Sequence, residues 1–337
     1  MRPARHLVGL VALLVGCGSS SGSSNALAPT ETPPPAASQD DGTSGDGTDA
    51  GMPSMPDTDA GAPDATPPNE QGCTDASKLV YVVSQENDLY SFMPSKLAFT
   101  KIGALTCATT GTSANGATPK PESMSLDRNG TAWVVYDDGE LFKVSTADAS
   151  CTPTSYEPGQ HGFIKLGMAF SMDSASATND SLFVSGIDYA NGGFVGKGIA
   201  SIDTTSLSLT PIGDFTAPLA KKAAELTGTG DGKLYGFFTT SPATLAEIDK
   251  TTGATMSTHT LTGVDVGDAW AFTFWGGDFY FYTAPSLTTS PGSTTTITQY
   301  KVADNTIKVV KKSIGFRIVG AGVSTCVPLA GAPPTTP

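Results

Sequence analysis

An all-β fold is what this sequence predicts. A unit of four short β-runs recurs along it, and the first runs begin near residues 122, 167, 223, 269 and 316, a step of about 45–56 residues. The runs are rich in Val, Phe, Tyr, Trp and Thr, and Asn129–Gly130, Asp138–Gly139 and Asp231–Gly232 mark the tight reversals between them. Neither end holds a full unit: three runs precede the first complete one, and a single run follows the last. Three plus one completes a unit. The expectation is a five-bladed β-propeller closed by the C-terminal strand joining the N-terminal blade, preceded by a disordered linker. Closure of this kind removes an exposed sheet edge.

In chain order, Arg2 and Arg5 followed by the apolar stretch Leu7 to Gly16 read as a signal peptide over 1–16, too short to span a bilayer. Leu14 to Cys17 resembles a bacterial lipobox. The resemblance implies that Cys17 becomes a lipid-bearing first residue, and Gly18 rather than Asp after it implies the outer membrane or cell surface. Residues 17–72 follow as a lipid-anchored, acidic Ser/Gly/Pro linker. It has almost no large apolar side chains to bury, so disorder is expected, with an r.m.s. span of roughly 40 Å. The linker holds nine acids and no Lys or Arg, which leaves 23 acids against 17 bases from residue 73 onward in a chain of net charge −13. That balance argues against nucleic acid or an anionic membrane patch as partner.

The propeller is assigned to 73–328 and a disordered tail to 329–337. Leu79 to Val83, Asp88 to Phe92 and Phe99 to Gly103 are the three N-terminal runs. The second blade takes Glu122 to Asp127, Thr131 to Tyr136, Glu140 to Val144 and Thr152 to Tyr156. The third runs from Gly167 to Gly213, the fourth from Ala224 to Leu261 and the fifth from Ala269 to Lys312, with Phe316 to Val323 closing the ring. Four cysteines besides Cys17 favour disulfides in an exported chain. Cys73 precedes the first strand and Cys326 follows the last, at the same end of adjacent strands, so these two pair. On the chain-entropy model such a bond contributes on the order of 4–5 kcal/mol. Cys107 and Cys151 pair by elimination. Because they start at opposite faces, the segment Thr106 to Pro121 is expected to fold down the outside of the second blade.

Strand alternation sorts the connections onto two faces. Turns after first and third strands are short. Those after second and fourth strands are long: Thr106 to Pro121, Glu157 to Leu166, Gly186 to Lys197, Asp214 to Lys222 and Thr283 to Thr294. Elaborated loops on one side of a rigid scaffold are where binding sits. Near the channel mouth on that face, the first strands offer Glu122, Glu225, Asp268 and Trp270. The three carboxylates suit acid–base chemistry, with like-charge crowding raising one pKa. They equally suit a wet channel of isolated acids, or acids paired with Lys221 and Lys222. No flanking catalytic motif accompanies them. His161 stands in a loop within reach of the mouth, and Tyr189, Phe194, Tyr282 and Trp270 can stack on a sugar or peptide or fill inter-blade packing. No histidine pair has metal-ligand spacing and no cofactor is implied. Asp127, Asp173 and Asp231 read as turn formers.

The ending hydrophobic–Asp–x–x–Thr–Gly, clearest at Ile248 to Gly253, resembles repeats of the NHL, YVTN and quinoprotein propellers in architecture. Ser145 to Cys151, Glu225 to Gly232, Ala269 to Phe272 and Val319 to Cys326 resemble a family of uncharacterised myxobacterial lipoproteins over about residues 73–328. That resemblance implies export and a single repeat domain, and brings no activity. The functional expectation is therefore a membrane-anchored lipoprotein presenting a binding or scaffold module to an extracellular or periplasmic protein or glycan. The alternative is an extracellular hydrolase of glycoside-hydrolase type using the channel carboxylates.

Overall fold

Alternating large apolar and small polar side chains let each β-run bury both faces between neighbouring sheets, and tight turns fold consecutive runs into antiparallel ladders. The computed structural model describes residues 72–113, 115–190 and 193–330, with the backbone alone at 189, 190 and 193. The signal segment, Cys17, the linker to residue 71 and residues 331–337 lie outside the described residues. Val80–Ser84 (β1), Asp88–Met93 (β2) and Ala98–Ala104 (β3) come first. Pro121–Leu126 (β4), Thr131–Tyr136 (β5), Leu141–Ser145 (β6) and Cys151–Pro153 (β7) make the second blade. Lys165–Met172 (β8), Asp180–Ala190 (β9), Gly193–Ile202 (β10) and Leu209–Gly213 (β11) make the third. Glu225–Gly228 (β12), Leu234–Phe238 (β13), Ala243–Ile248 (β14) and Thr255–Leu261 (β15) make the fourth. Ala269–Trp275 (β16), Asp278–Ala284 (β17), Thr296–Lys301 (β18) and Thr306–Lys311 (β19) make the fifth. Ile318–Gly322 (β20) then joins β1 antiparallel, with Tyr81 opposite Gly322 and Val83 opposite Gly320, and the sheet order becomes β20-β1-β2-β3. The fold is a five-bladed propeller closed by its last strand.

Inner strands β4, β8, β12, β16 and β20 each neighbour the next, the last meeting the first. With only five sheets the channel is tight, and small residues line it. A Cβ on Gly322 would lie 2.8 Å from Ser125 Cα, and one on Gly320 would lie 3.0 Å from Ser123 Cα, so β20 approaches β4 only as glycine. Hydroxyls stitch the inner strands. Met168 N–H donates to Ser123 Oγ at 3.2 Å, Phe170 N–H to Ser125 Oγ at 2.8 Å and Phe274 N–H to Thr227 Oγ1 at 3.2 Å. Between sheets the apolar faces fill with aromatics: Phe92 meets the edges of Tyr280 and Tyr282, and Trp133 meets Phe170.

Both disulfides form as expected. Cys73 and Cys326 lie 5.8 Å apart at Cα, and Cys107 and Cys151 lie 5.0 Å apart. The second bond, however, is reached by a different path from the one expected. Sheet twist of about 20–25° per strand swings the outer β3 away from the channel axis, and its end meets the β6–β7 turn, with Gly103 against Asp148 and Ala149. Beyond Cys107 the chain climbs back along the second blade. Thr110 N–H donates to Glu140 Oε2 at 2.9 Å and Ser113 Oγ to Asp137 Oδ1 at 2.6 Å. A second correction concerns Gly186 to Lys197, expected as a loop. β9 and β10 continue through it as a hairpin of 11 and 10 residues, pairing Tyr189 with Phe194 and Ile187 with Gly196. A bulge after Gly196 lets the longer ladder bend, and Gly196 N–H donates to Lys221 O at 2.9 Å.

Candidate functional site

Each inner strand starts on the long-loop face, and each start carries one charged residue: Glu122 in β4, Lys165 in β8, Glu225 in β12, Asp268 just before β16 and Arg317 just before β20. Ring geometry gathers them around one mouth. Four of them (all but Arg317) line a solvent-open cavity of about 780 Å³ together with Trp270, Gln85, Lys120 and Asp137. A smaller lobe of about 430 Å³ shares Glu122, Lys165, Glu225 and Trp270 with it and adds Leu166 and Ile187.

The charges pair around the ring. Lys165 Nζ donates to Glu122 Oε1, joining the second and third blades. Arg317 Nη2 donates to Asp268 Oδ1, joining the fifth blade to the closing strand. Arg317 is 6% exposed and its remaining donors are filled by Gln85 Oε1 at 3.0 Å, Pro285 O at 2.8 Å, and Ser293 O and Oγ at 3.2 and 3.0 Å. Five charges make two pairs and leave one over. The remainder is Glu225, whose Oε2 accepts only from Ser123 Oγ at 2.9 Å. Since Ser123 Oγ already accepts from Met168 N–H, its proton is directed at Glu225. Burial first, and the charge of Glu122 as well, push the Glu225 carboxyl well above the ordinary glutamate range, against the opposing Ser123 bond. Burial also raises Glu122, opposed by Lys165, and Glu122 Oε2 is buried with no hydrogen-bond partner among the described residues. The site thus sets two carboxyls that burial raises, Glu225 without a cation and Glu122 held by Lys165, on one cavity with the half-buried Trp270.

Glu122, Glu225, Asp268 and Trp270 are therefore brought together as the sequence suggested. Their partners are not those expected. Lys221 and Lys222 are exposed on the loop before β12, and Lys165 and Arg317 hold the acids instead. Both cations begin strands one or two residues upstream of the apolar pattern that marks those strands, which is the signal that would have found them. The other binding candidates disperse. Tyr282 is buried in the fifth blade with its hydroxyl 3.0 Å from Thr273 Oγ1, because its parity on β17 faces the neighbouring sheet; burial raises its phenol far above the usual value. His161 lies exposed in the 3-10 turn Gln160–Gly162, outside the mouth, since Gln160 anchors that turn to Leu207 O and Leu209 N–H. Phe194 is 59% exposed on the β9–β10 hairpin and does not line the cavity. The side chain of Tyr189 lies outside the described residues.

Asp127 forms its turn as read, accepting from Asn129 N–H and Thr131 N–H at 2.9 Å each. No group of three or more metal-ligating side chains occurs among the described residues. On the opposite face, a groove of about 900 Å³ between the fourth and fifth blades is walled by Tyr235, Phe279, Tyr300 and His259, the last stacked on Tyr300 at 4.3 Å.

No protein-family model and no curated protein matches the chain. Similar solved structures include TolB from Acinetobacter baumannii, with 12% identity and a TM-score of 0.40 over 71% of this chain and 54% of that one. The tricorn protease gives 12% identity and 0.35 over 69% of this chain and 25% of that one. A protein of unknown function from Bacteroides caccae gives 9% identity and 0.39 over 72% and 97%. This chain thus spans about half of the TolB chain and a quarter of the tricorn chain.

Proposed function

We propose that this protein is an exported binding module, held to the outer membrane or cell surface by a lipid on Cys17, that takes its ligand at the long-loop mouth of the propeller. One observation carries the reading. Charged side chains from separate blades converge with Trp270 on a single open cavity, and the two ion pairs at that wall leave Glu225 without a salt bridge among the described residues. A rigid ring holds such a constellation without ordering cost on binding. The acidic linker, expected to span roughly 40 Å, sets the domain away from the anchor, and the lipobox-like Leu14 to Cys17 supports that anchor.

The test is capture from envelope extracts and on glycan arrays by the full chain, wild type against Trp270→Ala. Loss of at least about ten-fold in captured ligand is expected, since an aromatic hot spot contributes about 2 kcal/mol or more. Undiminished capture by Trp270→Ala would place binding elsewhere.

The second reading, hydrolysis of an extracellular polysaccharide, has a specific observation in its favour. Glu225, pushed up by burial, and Glu122, raised by burial but opposed by Lys165, stand on one cavity, an arrangement suited to an acid and a base. Release of reducing ends by wild type, lost in Glu225→Gln, would establish it. Binding without product release would retire it.

A further inference from the structure

We infer that the ligand presents an aliphatic ammonium group, which fills the place of the missing cation between Glu225 and the face of Trp270. The inference rests on the reading that the mouth is the binding site. Its argument is arithmetic of charge around a ring. Five inner strands open with Glu122, Lys165, Glu225, Asp268 and Arg317, three acids against two cations, and Lys120, just before β4, lines the same wall without an ion pair to Glu225. Lys165 is spent on Glu122 and Arg317 on Asp268. Further out, Asp137 Oδ1 is taken by Ser113 Oγ at 2.6 Å and Lys120 N–H at 3.1 Å. Glu225 has only the Ser123 hydroxyl.

A carboxylate set into this wall without a cation is costly to ionise, and burial accordingly raises the affinity of Glu225 for its proton. A ligand ammonium changes that balance. It supplies the positive charge that stabilises the ionised form, and the proton leaves Glu225 to solvent as the N–H bond donors settle on its carboxylate. The next blade adds the second recognition element: Trp270, two residues after Asp268, shares both lobes of the cavity with Glu225, and an indole face attracts a desolvated cation. An anionic ligand would meet Glu122, Glu225, Asp268 and Asp137 in the same wall. Three metal-ligating groups do not come together among the described residues, so an organic cation fits the site better than a metal ion.

The test uses the full chain and two matched pairs of probes, n-butylamine with n-butanol and D-glucosamine with D-glucose, titrated by calorimetry in two buffers of different ionisation enthalpy at about pH 6. In at least one pair the amine is expected to bind ten-fold or more tighter than its uncharged counterpart, with a heat that changes with buffer as protons are released. The better pair tells whether the ammonium is carried on an alkyl chain or a carbohydrate. Glu225→Gln, whose amide still accepts from Ser123, should bring the amine within about three-fold of its counterpart and abolish the proton release. Lys165→Gln frees Glu122 and should tighten the amine at least three-fold. An uncharged probe binding as tightly as its amine, an amine unaffected by Glu225→Gln, or an amine weakened by Lys165→Gln would overturn the inference. If amines fail while Trp270→Ala still abolishes capture from extracts, only the ligand class is wrong; if both fail, the mouth is not the site.

Discussion

Glu225 is the residue on which the chemistry turns. Its carboxyl holds a proton more tightly in the folded chain than in the unfolded one, chiefly through burial, with Glu122 adding to the effect. Stability from this group is therefore complete below the ordinary glutamate range and is lost as pH rises through the raised value. The difference in urea midpoint between wild type and Glu225→Gln is expected to shift against the wild type over that interval. Comparing the two proteins subtracts Glu122, Asp138 and Asp180, which burial also raises. A difference that stays flat with pH would remove Glu225 as a proton-holding group. The sequence made Glu225 visible as an acid starting an inner strand. It could not show that the acid lacks a cation, because that depends on which neighbouring strand begins with Lys165 and which with Arg317. Apolar periodicity reports the body of a strand and is silent on the polar residue that opens it. Of the two roles open to Tyr282 the structure takes inter-blade packing, because a one-residue difference in parity decides whether a strand side chain meets solvent or the next sheet.

The closing strand β20 is the element that joins the two ends, and Arg317 at its start ties it to the fifth blade and to Gln85 in the β1–β2 turn. Removing a buried guanidinium leaves the Ser293 carbonyl without its donor and the Pro285 carbonyl with only Ser293 Oγ, so Arg317→Met should cost about 3–5 kcal/mol in equilibrium unfolding. Asp268 is 47% exposed, and solvent can replace its partner, so Asp268→Asn should cost under about 1 kcal/mol. Equal losses from the two variants would mean that the ion pair, and not the carbonyl anchoring, sets the closure. The pairing of β20 with β1 was legible because three runs at one end and a single run at the other leave only one way to finish a blade. The β9–β10 hairpin was not, since Gly186 and Gly196 interrupt the alternation and mimic a loop. The route to Cys151 was hidden as well, because blade twist acts in three dimensions and leaves no trace in spacing.

At the scale of the whole molecule, ring closure gathers five strand starts at one mouth, and their three acids and two cations pair so that Glu225 is left without a salt bridge among the described residues. The opposite face carries short turns and the Cys73–Cys326 bond, and offers the aromatic groove between the fourth and fifth blades and a second cavity beside Arg128, Trp133 and Asp180. These two surfaces give a direct comparison. Hydroxyl-radical footprinting of the full chain, with and without the ligand captured from envelope extract, reads both in one experiment. Protection at Trp270 and Ile187, with Tyr235 and His259 unchanged, is the expected result. Protection of Tyr235 and His259 with Trp270 unaltered would contradict it and move the function to the other side of the ring.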